Sequence, residues 1–338
     1  MPASLPRLLP AICLALPLVL HAAEARQGEA EALRWLARMQ EALAELAYRG
    51  EFSYFRDGRL SSLSVAHGRV GGEVHERLVH LDGPHREILR VGDRVSCFMK
   101  PGDPMLAHMK RVPAGPFARA FIPGDGASGA MLPPSYEARV AGTERIAGEG
   151  TMRIDVVPAD RTRYGYRLWL QDPTAMPLRA ELVDADARPL EIFQFVRIEI
   201  GERIDPRAFA STGAEGLVRH DLRLTGADPG AAPARDHEWE AAWLPEGFAM
   251  AAASRRPTPA RSAPVQTLRY SDGIASLSIF VEPPWAEAAW QRSRRRGATS
   301  AVMREVEVEG GDRYLVTVVG EVPMDTAERV AVAVRPRG

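Results

Sequence analysis

Six residues come closest to a chemical motif. His75-Glu76-Arg77-Leu78-Val79-His80 carries the two histidines and the glutamate of a zinc-protease HExxH. That motif needs histidines four apart, so that both project from one helical face with the acid beside them. Here they are five apart, in a segment that reads as a strand, where an odd offset sends two side chains to opposite faces. Spacing and context both fail, and no metal or other cofactor is expected. The glycine-rich stretches fare no better. Gly68-Arg69-Val70-Gly71-Gly72 lacks the GxGxxG spacing, and Gly124-Asp125-Gly126-Ala127-Ser128-Gly129 has neither a P-loop ending nor a GxSxG elbow. Cys97 has the neighbours of a buried strand residue, not those of an activated thiolate. Acidic residues fall mostly at turns, where they cap backbone. The chain is therefore not expected to be an enzyme.

Two basic clusters remain: Arg255-Arg256, and Arg292 with Arg294-Arg295-Arg296. Solvated loop faces would explain them. Clustered guanidinium groups can also grip carboxylates or phosphates, and Trp285 and Trp290 beside the second cluster add the aromatic partner common at binding hot spots. The chain as a whole, 338 residues with a formal charge of −1, is not a general polyanion binder, and no nucleic acid is expected. Arginine is abundant while Lys100 and Lys110 are the only lysines.

The elements that would position these residues begin after a leader. Arg7, the apolar run Leu8–Leu20 and Ala23-Glu24-Ala25 read as a secretory signal peptide over residues 1–25. Its removal would leave Cys97 as the lone cysteine of an exported chain, without internal disulfide. Glu29–Tyr48 has a broad apolar stripe and predicts a helix ended by Gly50. Strands are predicted over Glu51–Arg56, Arg59–His67, Glu73–Leu81, His85–Val91 and Arg94–Met99. They continue over Tyr136–Ile146, Met152–Val157, Tyr164–Gln171, Leu178–Val183 and Leu190–Ile200. Asp57-Gly58 is the strongest hairpin turn among them. Short turns give an antiparallel meander, and about ten such strands tend to curl or close. In Tyr164–Gln171, the residues Tyr164, Tyr166, Leu168 and Leu170 face one way, and Arg167, Trp169 and Gln171 the other. Lys100–Pro134 interrupts the strands with a loop rich in Pro and Gly that also holds Met105, Phe117 and Phe121, and reads as a flap over the concave face.

Residues 26–201 form the first domain in this reading, 202–237 a linker, and 238–338 a smaller domain. In the second domain a strand follows Trp243–Phe248. Val265–Tyr270 pairs with Ile274–Val281, and Ala301–Val308 with Arg313–Val319. A helix over Met324–Val334 buries Ala327, Val330, Ala331 and Val334. The fold class is mainly β with helices (α+β): an N-terminal unclosed antiparallel β-barrel plus a small C-terminal α+β domain.

LDGPHREILRVGD (81–93), TRYGYRLWLQDPTAMPLRAEL (162–182), WLPEGF (243–248), SRRP (254–257), RYSDGIASLSIFVE (269–282) and the final VVGEVP with its helix resemble the RseB/MucB family, in order, from about Glu29 to Val334. These are periplasmic negative regulators of an envelope-stress sigma factor. The resemblance implies a LolA/LolB-like first domain, a periplasmic location, and binding to the periplasmic domain of an RseA/MucA-like anti-sigma factor. It implies that binding shields that partner from site-1 proteolysis, with release favoured by lipid or lipopolysaccharide. On that footing the candidate lipid contacts are Trp35, Leu36, Phe117, Phe121 and Trp169. The candidate anti-sigma contacts are Arg255, Arg256, Arg294, Arg295 and Arg296. A periplasmic lipid or lipoprotein carrier of the LolA type is the alternative, and a homo-oligomer is left open.

Overall fold

The computed structural model of the chain describes residues 16–103, 117, 132–201, 203–211, 216–223, 237–256, 264–284 and 291–337. Helix α1 (Leu16–Glu45) leads into five strands: β1 (Ala47–Arg56), β2 (Arg59–Val70), β3 (Glu73–His80), β4 (Glu87–Val91) and β5 (Arg94–Met99). Five more follow the long loop: β6 (Tyr136–Ile146), β7 (Glu149–Pro158), β8 (Gly165–Gln171), β9 (Pro177–Val183) and β10 (Pro189–Gly201). All ten expected strands are present. The turn between β1 and β2 is Asp57-Gly58 with φ of 53° and 72°, the left-handed pair that matches strand twist in a two-residue hairpin.

The strands do not run as one meander. With a further strand, β11 (Val218–Arg223), they form an eleven-stranded sheet in the order β11-β5-β4-β3-β2-β1-β10-β9-β8-β7-β6, with antiparallel pairing throughout. Two meanders are thus joined back to back where β1 pairs with β10, and among the described residues the sheet ends at β11 and β6 instead of closing. One face buries the core. Val65 stands opposite Leu78 and Leu78 opposite Ile88. On the other side of the seam Phe193 stands opposite Ala180, Ala180 opposite Leu168, and Leu168 opposite Ile154. Helix α1 packs on β6 and β7, burying Ala32, Trp35, Met39 and Leu43, which recur every three or four residues on one stripe. Among the described residues no helix is long and apolar enough to cross a membrane.

The helix end and the linker are corrected as well. The helix ends at Glu45, not Tyr48, and Gly50 does not stop it. Gly50 lies inside β1, where a Cβ would sit 2.4 Å from the Arg197 carbonyl oxygen, so the residue permits close approach of β10. The stretch expected as a linker is also partly built into the sheet. A short 3-10 turn (Pro206–Phe209) packs on β2 and β3, and β11 (Val218–Arg223) pairs with β5. An edge strand held by backbone pairing needs no apolar pattern, so VRHDLR carries little signal.

The second sheet has six strands in the order β13-β14-β15-β18-β17-β16. They are β13 (Ala249–Arg256), β14 (Val265–Ser271), β15 (Ser276–Glu282), β16 (Gln291–Arg296), β17 (Thr299–Glu307) and β18 (Arg313–Gly320). Helix α2 (Met324–Val332) covers one face, burying Ala327, Val330 and Ala331 with Leu277, Ile279, Val302 and Val318. Val334, expected as the last turn of that helix, begins β19 (Val334–Pro336), which pairs with β12 (Trp239–Ala241). The strand β16 was expected as a loop.

Candidate binding surfaces

Trp35, Leu36 and Phe117 all join the core cluster that fills the concave side of the first sheet. The Arg38 guanidinium lies 4.6 Å from the Trp35 ring centroid, at the outer margin of α1. Phe121, grouped with them on sequence, lies outside the described residues. Trp169 joins the same core cluster from a different side. It stands opposite Arg153 of β7 and Arg179 of β9, and both guanidinium groups lie over its ring, at 5.4 and 4.8 Å. The alternation of β8 puts it on the face opposite Leu168, away from α1. Two arginines therefore cover its ring on the face away from Leu168, while the residue remains part of the same core cluster as Trp35 and Phe117.

Phe117 is tied down through its backbone. Its N–H donates to Glu76 Oε1 at 2.8 Å. Strand register aligns His67, Glu76 and Arg90 across β2, β3 and β4, and Glu76 is fully buried between them. His67 Nδ1 lies 2.9 Å from Oε1, and Arg90 Nη1 donates to Oε2 at 3.0 Å. The His67 ring stacks on Tyr48 with centroids 5.0 Å apart. Burial, and then the nearby Glu76 carboxylate, hold the Tyr48 hydroxyl well above the ordinary tyrosine pKa. The glutamate of the motif-like segment is thus the centre of a structural network. Among the described residues no group of three His, Cys, Asp or Glu could hold a metal ion.

Cys97, on the same face, is fully buried. Burial, with Asp221 second, pushes its thiol up to about 11. At pH 8 about one molecule in a thousand then carries the thiolate. An unfolded thiol is about a tenth to a quarter thiolate at that pH, so native protein should react with Ellman's reagent about one to two hundred times more slowly than unfolded protein, a ratio read from absorbance traces. Equal rates would mean that the strand opens freely.

The two sheets meet along a seam that sequence reasoning did not find. Arg163, in the turn before β8, is the largest fully buried side chain described. Its Nη1 donates to Asp272 Oδ2 at 2.9 Å and its Nη2 to the Glu246 carbonyl at 2.7 Å. Nε lies 3.3 Å from Asp160 Oδ1. The rings of Tyr136 and Phe248 flank the guanidinium, each 5.6 Å away. Asp272 lies in the turn between β14 and β15. It does cap the turn, its Oδ1 accepting from the N–H groups of Ile274 and Ala275, while its other oxygen receives the arginine. Nearby, Tyr164 Oη donates to the Val322 carbonyl and Thr326 Oγ1 to the Thr162 carbonyl.

A second junction lies at the β1–β2 end. Glu191 accepts from the Ala298 N–H at 2.9 Å, pairs with Arg56 at 3.3 Å and is hydrogen-bonded by Tyr54. Arg56 also donates to Thr299 Oγ1 at 2.9 Å. Gly297 makes this approach possible. Its φ is +57°, and a Cβ there would lie 2.5 Å from Glu191 Oε1.

The arginine clusters occupy opposite edges of the second sheet. Arg255 and Arg256 end β13, with Arg255 paired to Glu238 at 2.9 Å. Arg294, Arg295 and Arg296 lie on β16, all exposed, and Arg296 reaches Asp57 of the first domain at 3.8 Å. Five strand intervals, about 24 Å, separate the edges. The two clusters are therefore two surfaces, not one. A cleft of about 530 Å³ opens beside α2, lined by Trp243, Arg304, Asp325, Glu328, Arg329 and Val332, with the Arg329 guanidinium 3.8 Å over the Trp243 ring.

Comparison with known proteins decides the family. The model of the MucB/RseB N-terminal domain matches residues 31–212, and that of the MucB/RseB C-terminal domain matches residues 233–335. The chain belongs to the MucB/RseB family. It is 34% identical over 309 residues to the sigma factor AlgU regulatory protein MucB of Pseudomonas aeruginosa, covering 91% of this chain and 92% of that one. To the sigma-E factor regulatory protein RseB of Salmonella typhimurium it is 29% identical, covering 89% and 90%. Among solved structures, the MucA/MucB complex of Pseudomonas aeruginosa matches with a TM-score of 0.73 at 30% identity, over 91% of this chain and 99% of that one.

Proposed function

We propose that this chain is a periplasmic negative regulator of a sigma-factor pathway, a binding protein and not an enzyme. It holds the periplasmic domain of a membrane anti-sigma factor and shields it from site-1 proteolysis. The observation that carries this reading is the likeness over both domains to MucB, a chain solved in complex with MucA. The seam adds support, because buried Arg163 and the Glu191 junction give the two domains a defined arrangement that a partner spanning them could read. The anti-sigma segment would contact the second domain through Arg294, Arg295 and Arg296, with Arg255 and Arg256 as a separate edge.

Lipid or lipopolysaccharide favours release in this scheme. An acyl chain would enter the concave face beside Trp35, Leu36 and Phe117, where α1 now packs. A ligand shifts an equilibrium only by its differential affinity for the two states, so lipid must bind the partner-free form more tightly. Going from mostly bound to mostly free takes a differential on the order of a hundredfold.

Binding of the mature protein to the periplasmic region of the anti-sigma factor from the same genome tests both levels, read by titration calorimetry with and without lipopolysaccharide. Tight binding weakened by lipid is the expected result. Tight binding indifferent to lipid would remove the release mechanism and keep the regulator. Absence of binding by folded protein would overturn the reading.

A further inference from the structure

We propose that the free edge of β16 is a docking edge, which takes an acidic segment in extended conformation as a seventh strand. The inference rests on the regulator reading above and specifies how the partner is held.

Among the described residues β16 has one neighbour, β17, so its other side offers a row of unpaired backbone N–H and C=O groups. Residues 292–296 are all exposed. Register fixes where the side chains go. Arg292, Arg294 and Arg296 stand opposite Met303, Ala301 and Thr299, while Ser293 and Arg295 stand opposite Val302 and Ser300 on the side covered by α2. Ser293 Oγ confirms that side by donating to Glu328 of α2 at 3.0 Å. Three guanidinium groups therefore line one face at intervals of about 7 Å, the repeat of alternate residues in a strand. Carboxylates at every second position of an added strand would meet them as cross-strand pairs.

Charges on a sheet edge also serve to prevent edge-to-edge association, so the other edges are the control. β6 carries Glu137, Arg139, Glu144 and Arg145, and β11 carries Arg219, Asp221 and Arg223, both signs in each case. Arg219 pairs with Asp221 on its own strand. β13 has its two arginines at one end, with Arg255 paired to Glu238. β16 alone carries four arginines along its length and no acid. A guard needs charge of any sign, whereas a single sign along a whole edge selects the opposite sign. Position adds to this. The strand ends at the second junction of the seam, where Gly297 and Ala298 meet Glu191, so a segment added to β16 would run beside the first domain.

The test compares the mature chain with R292E/R294E/R296E and, as a charge reversal on the β11 edge of the first sheet, R219E. The probe is the periplasmic region of the anti-sigma factor from the same genome. For the parent chain, binding should slow hydrogen exchange at the amides of 291–296 and should weaken steeply with salt. The triple variant should bind at least tenfold more weakly, and R219E within twofold of the parent. If charge reversal disturbs the near-ultraviolet circular dichroism, R292Q/R294Q/R296Q replaces it with the same expectation. Parent-like binding by the triple variant, with no slowing at 291–296, overturns the docking edge and leaves the regulator standing. So does a glutamine variant that self-associates yet binds the partner normally, since the arginines would then be guards. If the parent chain itself does not bind, the regulator reading and the docking edge fall together.

Discussion

Arg163→Ala is expected to lower the unfolding free energy by about 3–5 kcal/mol, the usual cost of removing one partner from a buried ion pair. The reason lies in what stays behind. Asp272 would keep a carboxylate oxygen with no solvent and no cation, and the Glu246 carbonyl would lose its donor. The Tyr136 and Phe248 rings would face a cavity. Asp272→Asn should cost less, because its remaining oxygen can still cap Ile274 and Ala275. Removing both partners together should cost less than the sum of the single changes. Urea unfolding followed by tryptophan fluorescence and by far-ultraviolet circular dichroism measures all three. In Arg163→Ala the two probes should also separate, since the seam is where cooperativity passes between the domains. A loss under about 1 kcal/mol with coincident transitions would show that the seam tolerates water and does not couple the sheets.

Glu76→Ala should be of similar size, about 3–5 kcal/mol, for a different reason. Here a single carboxylate satisfies three donors from three places: His67 on β2, Arg90 on β4 and the Phe117 backbone from the long loop. Alanine leaves the part-buried Arg90 guanidinium, still bonded to the Gly92 carbonyl, beside an empty volume. Glu76→Gln keeps the volume and one acceptor but not the charge, and should recover roughly half of the loss. Denaturant unfolding supplies the free energies, and hydrogen exchange at residue 117 supplies the local readout. Protection there should vanish in the alanine variant before the sheet itself loosens. If the amide of 117 exchanges equally slowly in parent and variant, the carboxylate is not what holds the loop to the sheet.

The strands were legible because each carries its own instructions. Asp57-Gly58 demands a hairpin, and Leu63, Val65 and Leu78 mark a buried face by alternation. The tie of β1 to β10 had no such marker. It joins residues about 150 positions apart, and nothing local distinguishes β10 from β2 as a neighbour. Arg163 was passed over for a related reason. A charged residue reads as surface, and only the fold supplies Asp272 and the Glu246 carbonyl to neutralise it. For Trp169, alternation along β8 is legible and sets it apart from Leu168, but the guanidinium groups of Arg153 and Arg179 over its ring come only from the neighbouring strands. β16 was missed because four arginines in six residues resemble a solvated loop. Its strand character comes from β17, not from its own composition.

The back-to-back joining of the two meanders also governs how the first domain can fold. β1 to β5 pair with their immediate neighbours in the chain, and so do β6 to β10, so each half can form early from local contacts. The central pair cannot. β1 must wait for β10, and the intervening chain must be closed as a loop before any cross-seam contact repays its entropy. The slow step in joining the two meanders is therefore the meeting of β1 with β10, and β11 must likewise reach back across the chain to β5. Until then Phe52 and Phe193, which pack ring to ring at 4.9 Å in the finished sheet, sit on two unmatched apolar faces. The same sheet read from β6 through β10 and then from β1 through β5 is one continuous meander. The order of the segments in the gene, not the shape of the sheet, makes this a high-contact-order protein.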